Sequence, residues 1–160
     1  MIKRYKAKKD NTITDAYKVA APTAQSLRAT GSNMGAADIL EVFTIYGACK
    51  SCTTDADKKE KARILIQFDV DKIIEDRNNN VIPSGSAYYL KMYNATSVQT
   101  VPKPFTLDIS SLSNNWEEGV GLDMDLPYSD QTYGVIGSNW AQRSGTAEWL
   151  DGGTGSAISG

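Results

Sequence analysis

Two cysteines three positions apart, Cys49-Lys50-Ser51-Cys52, are the residues whose type and spacing could most directly do chemistry. Such a pair can form a redox couple or supply half of a zinc site. The zinc reading needs two further ligands. The sequence holds no third cysteine and no histidine, so carboxylates or a second copy would have to complete the site. A thioredoxin-like couple needs its first thiol at a helix N-terminus, where the thiolate is stabilised, whereas Thr53-Thr54-Asp55-Ala56-Asp57 continues this pair as a polar loop. The pair therefore reads as a loop-tip feature, free or locally bridged. Lack of histidine also removes the commonest general base and proton shuttle, which points away from an enzyme and toward a chain with no cofactor.

Carboxylates come next, in Glu117, Glu118, Asp123, Asp125 and Asp130. Oxygen ligands at short spacing hold calcium, which makes Asp123, Asp125 and Asp130 the metal candidates, although the spacing is not that of an EF-hand. A solvated acidic loop accounts for the same residues. Paired carboxylates also serve glycoside hydrolysis, but no second cleft signature accompanies these. Flat aromatic rings stack on sugars and are enriched at protein interfaces. Tyr128, Tyr133 and Trp140 are accordingly the candidate glycan contacts, and Trp149 is an interface candidate. For Trp116 and Trp140 the better account is that they pin long loops onto the scaffold.

Those groups need elements to hold them. A length of 160 residues with 41% hydrophobic content is enough for one core, read as a domain over residues 1–150 with a Gly/Ser-rich tail over 151–160. A net charge of −2 gives no bulk attraction to nucleic acid or to a membrane surface. Its one basic cluster, Lys3, Arg4, Lys6, Lys8 and Lys9, fits an edge strand from Ile2 to Lys9 whose lysines block edge-to-edge pairing. No apolar stretch or cleavage site follows that basic start, so no signal peptide is expected, and no apolar run approaches the ~20 residues that span a bilayer.

Alternation is clearest from Ala62 to Val70, which puts Ile64, Ile66, Phe68 and Val70 on one face, taken as the core face. Further strands are expected over Ile39–Tyr46, Ser86–Ala95 and Pro104–Ser111, and a short helical turn over Asp71–Arg77, stopped by Asn78-Asn79-Asn80. Pro83-Ser84-Gly85 and Gly31-Ser32-Asn33-Met34-Gly35 read as turns leading into strands. The expected class is all-β, a jelly-roll-like antiparallel β-sandwich with long loops.

At this level the residues carry a likeness. Asn11-Thr12-Ile13-Thr14-Asp15-Ala16-Tyr17, Gly31 to Gly35 leading into Asp38-Ile39-Leu40-Glu41-Val42, Arg63-Ile64-Leu65-Ile66-Gln67-Phe68, Trp116-Glu117-Glu118-Gly119 and Ser138-Asn139-Trp140 follow one another in an order that resembles DNRLRE-type β-sandwich domains. The version it is most similar to occurs in structural proteins of tailed, especially marine, phage particles. The resemblance implies a jelly-roll-like sandwich, no catalytic residues to carry over, and a place in a particle or on a surface. Such domains usually continue with further strands after the region of Trp149, where this chain has a Gly/Ser-rich tail, so either a partner's strand completes the sandwich there or the domain closes differently.

The expected function is thus a non-enzymatic structural component of a tailed-phage virion, made in the host cytoplasm and contacting copies of itself and other virion proteins. Ile2, Lys3, Arg4, Tyr5 and Lys6, with Trp149 and Ile158, are the expected interface, because both ends of the chain lack a partner close in sequence. The alternative is a carbohydrate-binding or adhesin module reading host glycans. No membrane and no specific nucleic acid partner is expected.

Overall fold

The computed structural model describes residues 2–18, 28–46, 58–96, 104–124 and 137–149. It divides into two compact units, one of residues 1–6 with 69–113 and one of residues 7–68 with 114–160. The larger unit holds three strands, β1 (Ala7–Thr14), β2 (Phe43–Tyr46) and β3 (Lys59–Phe68), in one antiparallel sheet of order β1-β3-β2. The smaller holds one helix, α1 (Val70–Asn78). The described chain is therefore β-rich with a single short helix. No described helix is long and apolar enough to cross a membrane.

The central strand β3 forms where the sequence alternates most strongly. Its partners fix which side chains share a face, because residues directly opposite in an antiparallel pair point the same way. Asn11 lies opposite Leu65, Ile13 opposite Arg63 and Lys9 opposite Gln67. That face carries the core, a cluster of Ile13, Leu65, Trp116, Trp140 and Trp149. The expectation that Ile64, Ile66, Phe68 and Val70 form the core face is thus corrected. Ile64, Ile66 and Phe68 are half-buried on the opposite face, and Val70 starts α1 with 56% of its surface exposed. Counting apolar residues misleads here because Arg63 and Lys9 sit against aromatic rings rather than in water.

Strand β1 also differs from expectation. It begins at Ala7 rather than Ile2 and continues to Thr14, pairing with β3 across an irregularity between Ala7 and Lys9. It is nevertheless at the edge of the sheet, with Lys8 and Lys9 in it. The strand expected over Ile39–Tyr46 shortens to its last four residues as β2, the other edge.

Helix α1 matches its expected place. Asp69 caps it by accepting from the Lys72 backbone N–H at 3.1 Å, Asp71 lies in the first turn and Arg77 in the last, each suited to the helix dipole. Asn79 takes over at the C-terminus, and Asn80 has φ +58°, a left-handed position asparagine tolerates. Asp76 is its one buried residue, so a helix this short is held by its ends and that carboxylate.

The expected strands over Ser86–Ala95 and Pro104–Ser111 are absent. Residues 87–96 and 104–113 belong to no strand or helix, are exposed throughout, and make no backbone hydrogen bond among the described residues. Their apolar side chains face solvent.

Candidate functional site

The densest arrangement in the larger unit is built on asparagines. Asn33 is fully buried, and each half of its carboxamide is used twice. Its Oδ1 accepts from the backbone N–H groups of Gly35 at 3.2 Å and Gly121 at 2.9 Å. Its Nδ2 donates to the carbonyls of Glu118 and Ser138, both at 2.7 Å. Asn11, on β1, adds a second node. Its Nδ2 donates to the Ser138 carbonyl at 2.9 Å and to Ser138 Oγ at 2.8 Å, and its Oδ1 accepts from the Met34 N–H at 3.1 Å. These side chains add to the backbone bonds that join the same loops, from the Ala36 N–H to the Gly121 carbonyl and from the Ser138 N–H to the Glu117 carbonyl. Each bond replaces one that the backbone would otherwise make with water, so the network is stable only while it is complete.

Glycines are required wherever the chain passes this amide. A β-carbon on Gly119 or Gly137 would overlap the Asn33 side chain, one on Gly121 would overlap the Asn33 carbonyl, and one on Gly35 would overlap the Glu118 carbonyl. Gly119 also has φ +82°, a conformation L side chains avoid.

A second turn repeats the first in sequence and bonding. Gly31-Ser32-Asn33 is followed by Met34, and Gly137-Ser138-Asn139 by Trp140, with all of Ser32 to Met34 and Ser138 to Trp140 buried. In both, Oδ1 of the asparagine accepts from the N–H two residues on, in Asn139 from Ala141 at 2.9 Å as well as from Gln142 at 2.8 Å. The recurrence of Gly-Ser-Asn before a large apolar residue is the signal by which these turns can be found in the sequence.

Below the hub lie the tryptophans. Trp149 Nε1 donates to the Asn139 carbonyl at 2.8 Å, and residues 141–149 fold back on themselves through the Gln142–Glu148 bridge and the Arg143 N–H to Ala147 carbonyl bond. Arg63 lies 4.8 Å from the Trp140 ring centre, and Lys9, 5.9 Å from that of Trp116, also donates to the Trp116 carbonyl at 3.2 Å. Burial lowers the Arg63 pKa from its ordinary value, with the charge of Asp15 opposing. Arg63 Nη1, Arg143 Nε and Asn139 Nδ2 are buried with no hydrogen-bond partner among the described residues. Asp10 presents its N–H to Glu118 Oε1 at 2.8 Å, and burial, then the Glu118 charge, raises the Asp10 pKa.

No protein-family model matches the chain, and no curated protein or solved structure matches it at a significant level.

Set against these positions, the residues singled out by sequence scatter. Trp140 is buried beneath Arg63, so its ring is not open to a sugar; Tyr128 and Tyr133 lie outside the described residues. Trp149, expected at an interface, is a core residue, and Ile158 lies outside the described residues. Asp123 is exposed, Asp125 and Asp130 lie outside the described residues, and among the described residues no group of three or more acidic, cysteine or histidine side chains is placed to hold a metal ion. Cys49 and Cys52 also lie outside them.

In the smaller unit, the basic start meets the helix. Tyr5 donates its hydroxyl to Asp76 Oδ2 at 2.5 Å, Lys3 Nζ lies 3.0 Å from the same oxygen, and Lys72 Nζ lies 3.6 Å from Oδ1. The Tyr5 bond, followed by that from Lys3, holds the Asp76 carboxyl below its usual range. Burial, the Asp76 bond and its negative charge push the Tyr5 hydroxyl up to about 12. Ile2, Arg4 and Lys6 remain exposed.

Proposed function

We propose that this chain is a non-enzymatic structural component of a tailed-phage particle, working through contacts with its own copies and with neighbouring particle proteins. The observation that carries an assembly role is the exposure of two apolar segments, residues 87–96 and 104–113, which have no backbone hydrogen bond among the described residues. Exposed large apolar side chains in such number, among them Tyr89, Tyr93, Phe105 and Ile109, support an interaction site. The resemblance to DNRLRE-type domains is what points to the phage particle.

The same resemblance underlies the jelly-roll-like sandwich, of which the β1-β3-β2 sheet with its tryptophan-covered face would be one layer. The asparagine hub suits such a role, because its side chains spend their hydrogen-bonding capacity on loop backbone and fix the loops without offering a reactive group.

Antibody against the purified chain, gold-labelled and imaged on intact particles, tests this reading. Label at a constant position on the particle is expected. Label restricted to the unassembled fraction would overturn it.

A further inference from the structure

We infer that these two segments are complementary halves of a strand exchange, residues 87–96 of one copy pairing antiparallel with residues 104–113 of a second copy. This deepens the assembly reading and rests on it. Both segments alternate as strands do, and neither has a backbone partner among the described residues. Leu90 is 43% exposed and Ile109 77% exposed, although both are of the type that strands bury.

Each segment carries one charge, Lys91 in the first and Asp108 in the second. Setting these two opposite each other fixes the register. Leu90 then faces Ile109 and Met92 faces Leu107 on one side of the ribbon, while Tyr93 faces Thr106 on the other. A slip of one residue sets Leu90 against Asp108 and Lys91 against Leu107, and a slip of two keeps apolar pairs but parts Lys91 from Asp108, so the charge pair selects the alignment.

The occupant is a second copy because the complement of each segment is in this chain's own sequence, in the charges of Lys91 and Asp108, yet the described residues of one chain do not pair them. Residues 97–103 are long enough to connect a hairpin, but the two segments share no backbone bond. A two-fold arrangement satisfies both at once. Each copy gives its first segment to the other's second, the two pairings are equivalent, and the assembly closes without leaving a half unmatched. Main-chain bonds would supply the affinity and the Lys91–Asp108 pair the register.

Charge reversal separates exchange from pairing within one chain. Lys91→Asp puts two carboxylates opposite each other in a self-pair, and Asp108→Lys puts two ammonium groups there. Each variant alone is expected to self-associate roughly tenfold more weakly, and an equal mixture of the two to recover, because both pairings in the mixed dimer again join opposite charges. Light scattering on the purified chains reads this directly. Weak association that mixing does not relieve, or association unaffected by either change, would overturn the exchange.

Cross-linking provides a second readout in a chain with Cys49 and Cys52 replaced by serine. Leu90→Cys and Ile109→Cys chains, mixed and oxidised with copper phenanthroline, should give a product of twice the chain mass. A bridge confined to single chains in the doubly substituted protein, or no bridge at all, would contradict it. Presence of the chain in purified particles is scored separately. Particle-bound chain without exchange overturns this inference and leaves the assembly reading standing, whereas exchange in a chain that never enters particles keeps the pairing and removes the particle.

Discussion

The carboxamide of Asn33 occupies the space that a β-carbon on Gly119 would need, and Gly119 crosses it with φ +82°. Each residue requires the other. The amide can reach the Glu118 and Ser138 carbonyls only because the chain beside it has no side chain, and the left-handed backbone is held in place by the bonds that the amide makes.

Gly119→Ala combines strain with overlap and should cost roughly 3 kcal/mol or more, lowering the thermal midpoint by about 6–12 °C. Differential scanning calorimetry measures it. Gly31 has open space around its Cα, so Gly31→Ala is the control and should leave the midpoint nearly unchanged.

Asn33→Asp keeps the shape of the side chain but turns its donor into an acceptor facing two carbonyls. The loss should exceed roughly 3 kcal/mol, because buried polar groups on both sides are left unpaired next to a charge. Urea unfolding monitored by tryptophan fluorescence reads the loss, since Trp140 adjoins the hub through Asn139.

Leu65→Ala should cost roughly 2–5 kcal/mol, since Leu65 is buried among Ile13 and the three tryptophans. Phe68→Ala, on the half-buried face, should cost less. The opposite order in urea midpoints would return the core to the face of Ile64, Ile66 and Phe68.

The pH dependence follows from two carboxyl groups of opposite sign. Asp10 has a raised pKa in the folded chain, so the folded state favours its protonated form, and stability is lost as pH rises through the window above the ordinary carboxyl value. Asp10→Asn should therefore raise the midpoint at pH 7, with the gain vanishing in acid. Asp76 has a lowered pKa, and its contribution is present above the ordinary value and lost as pH falls through the folded one. Tyr5→Phe should shrink that acid loss. It should also remove a loss of stability between pH 10, the ordinary tyrosine value, and about 12, because the folded state holds the Tyr5 proton through that range.

Local chemistry was legible in the sequence where one element decides it. The β3 region and α1 stand where alternation, Asp69 and the asparagine run place them. The core face was misread because Arg63 and Lys9 cover aromatic rings while reading as solvent residues, which leaves the apolar count on the wrong side of the strand. The strands over Ser86–Ala95 and Pro104–Ser111 rest on alternation and, for the first, on its tyrosines and the turn at Pro83-Ser84-Gly85, features that specify a surface suited to pairing but not a partner for it. Missing the hub had a different cause. Its asparagines act over separations of up to 127 residues, and the repeated Gly-Ser-Asn marks Asn33 and Asn139 but not Asn11.

Copy number per particle tests the central claim most directly. Particles purified by density gradient and digested with trypsin can be assayed with isotope-labelled peptides of this chain against a capsid protein of known number. A fixed whole-number ratio that survives high-salt washing is expected. Absence of the chain from washed particles, with all of it recovered in the unassembled fraction, would contradict it.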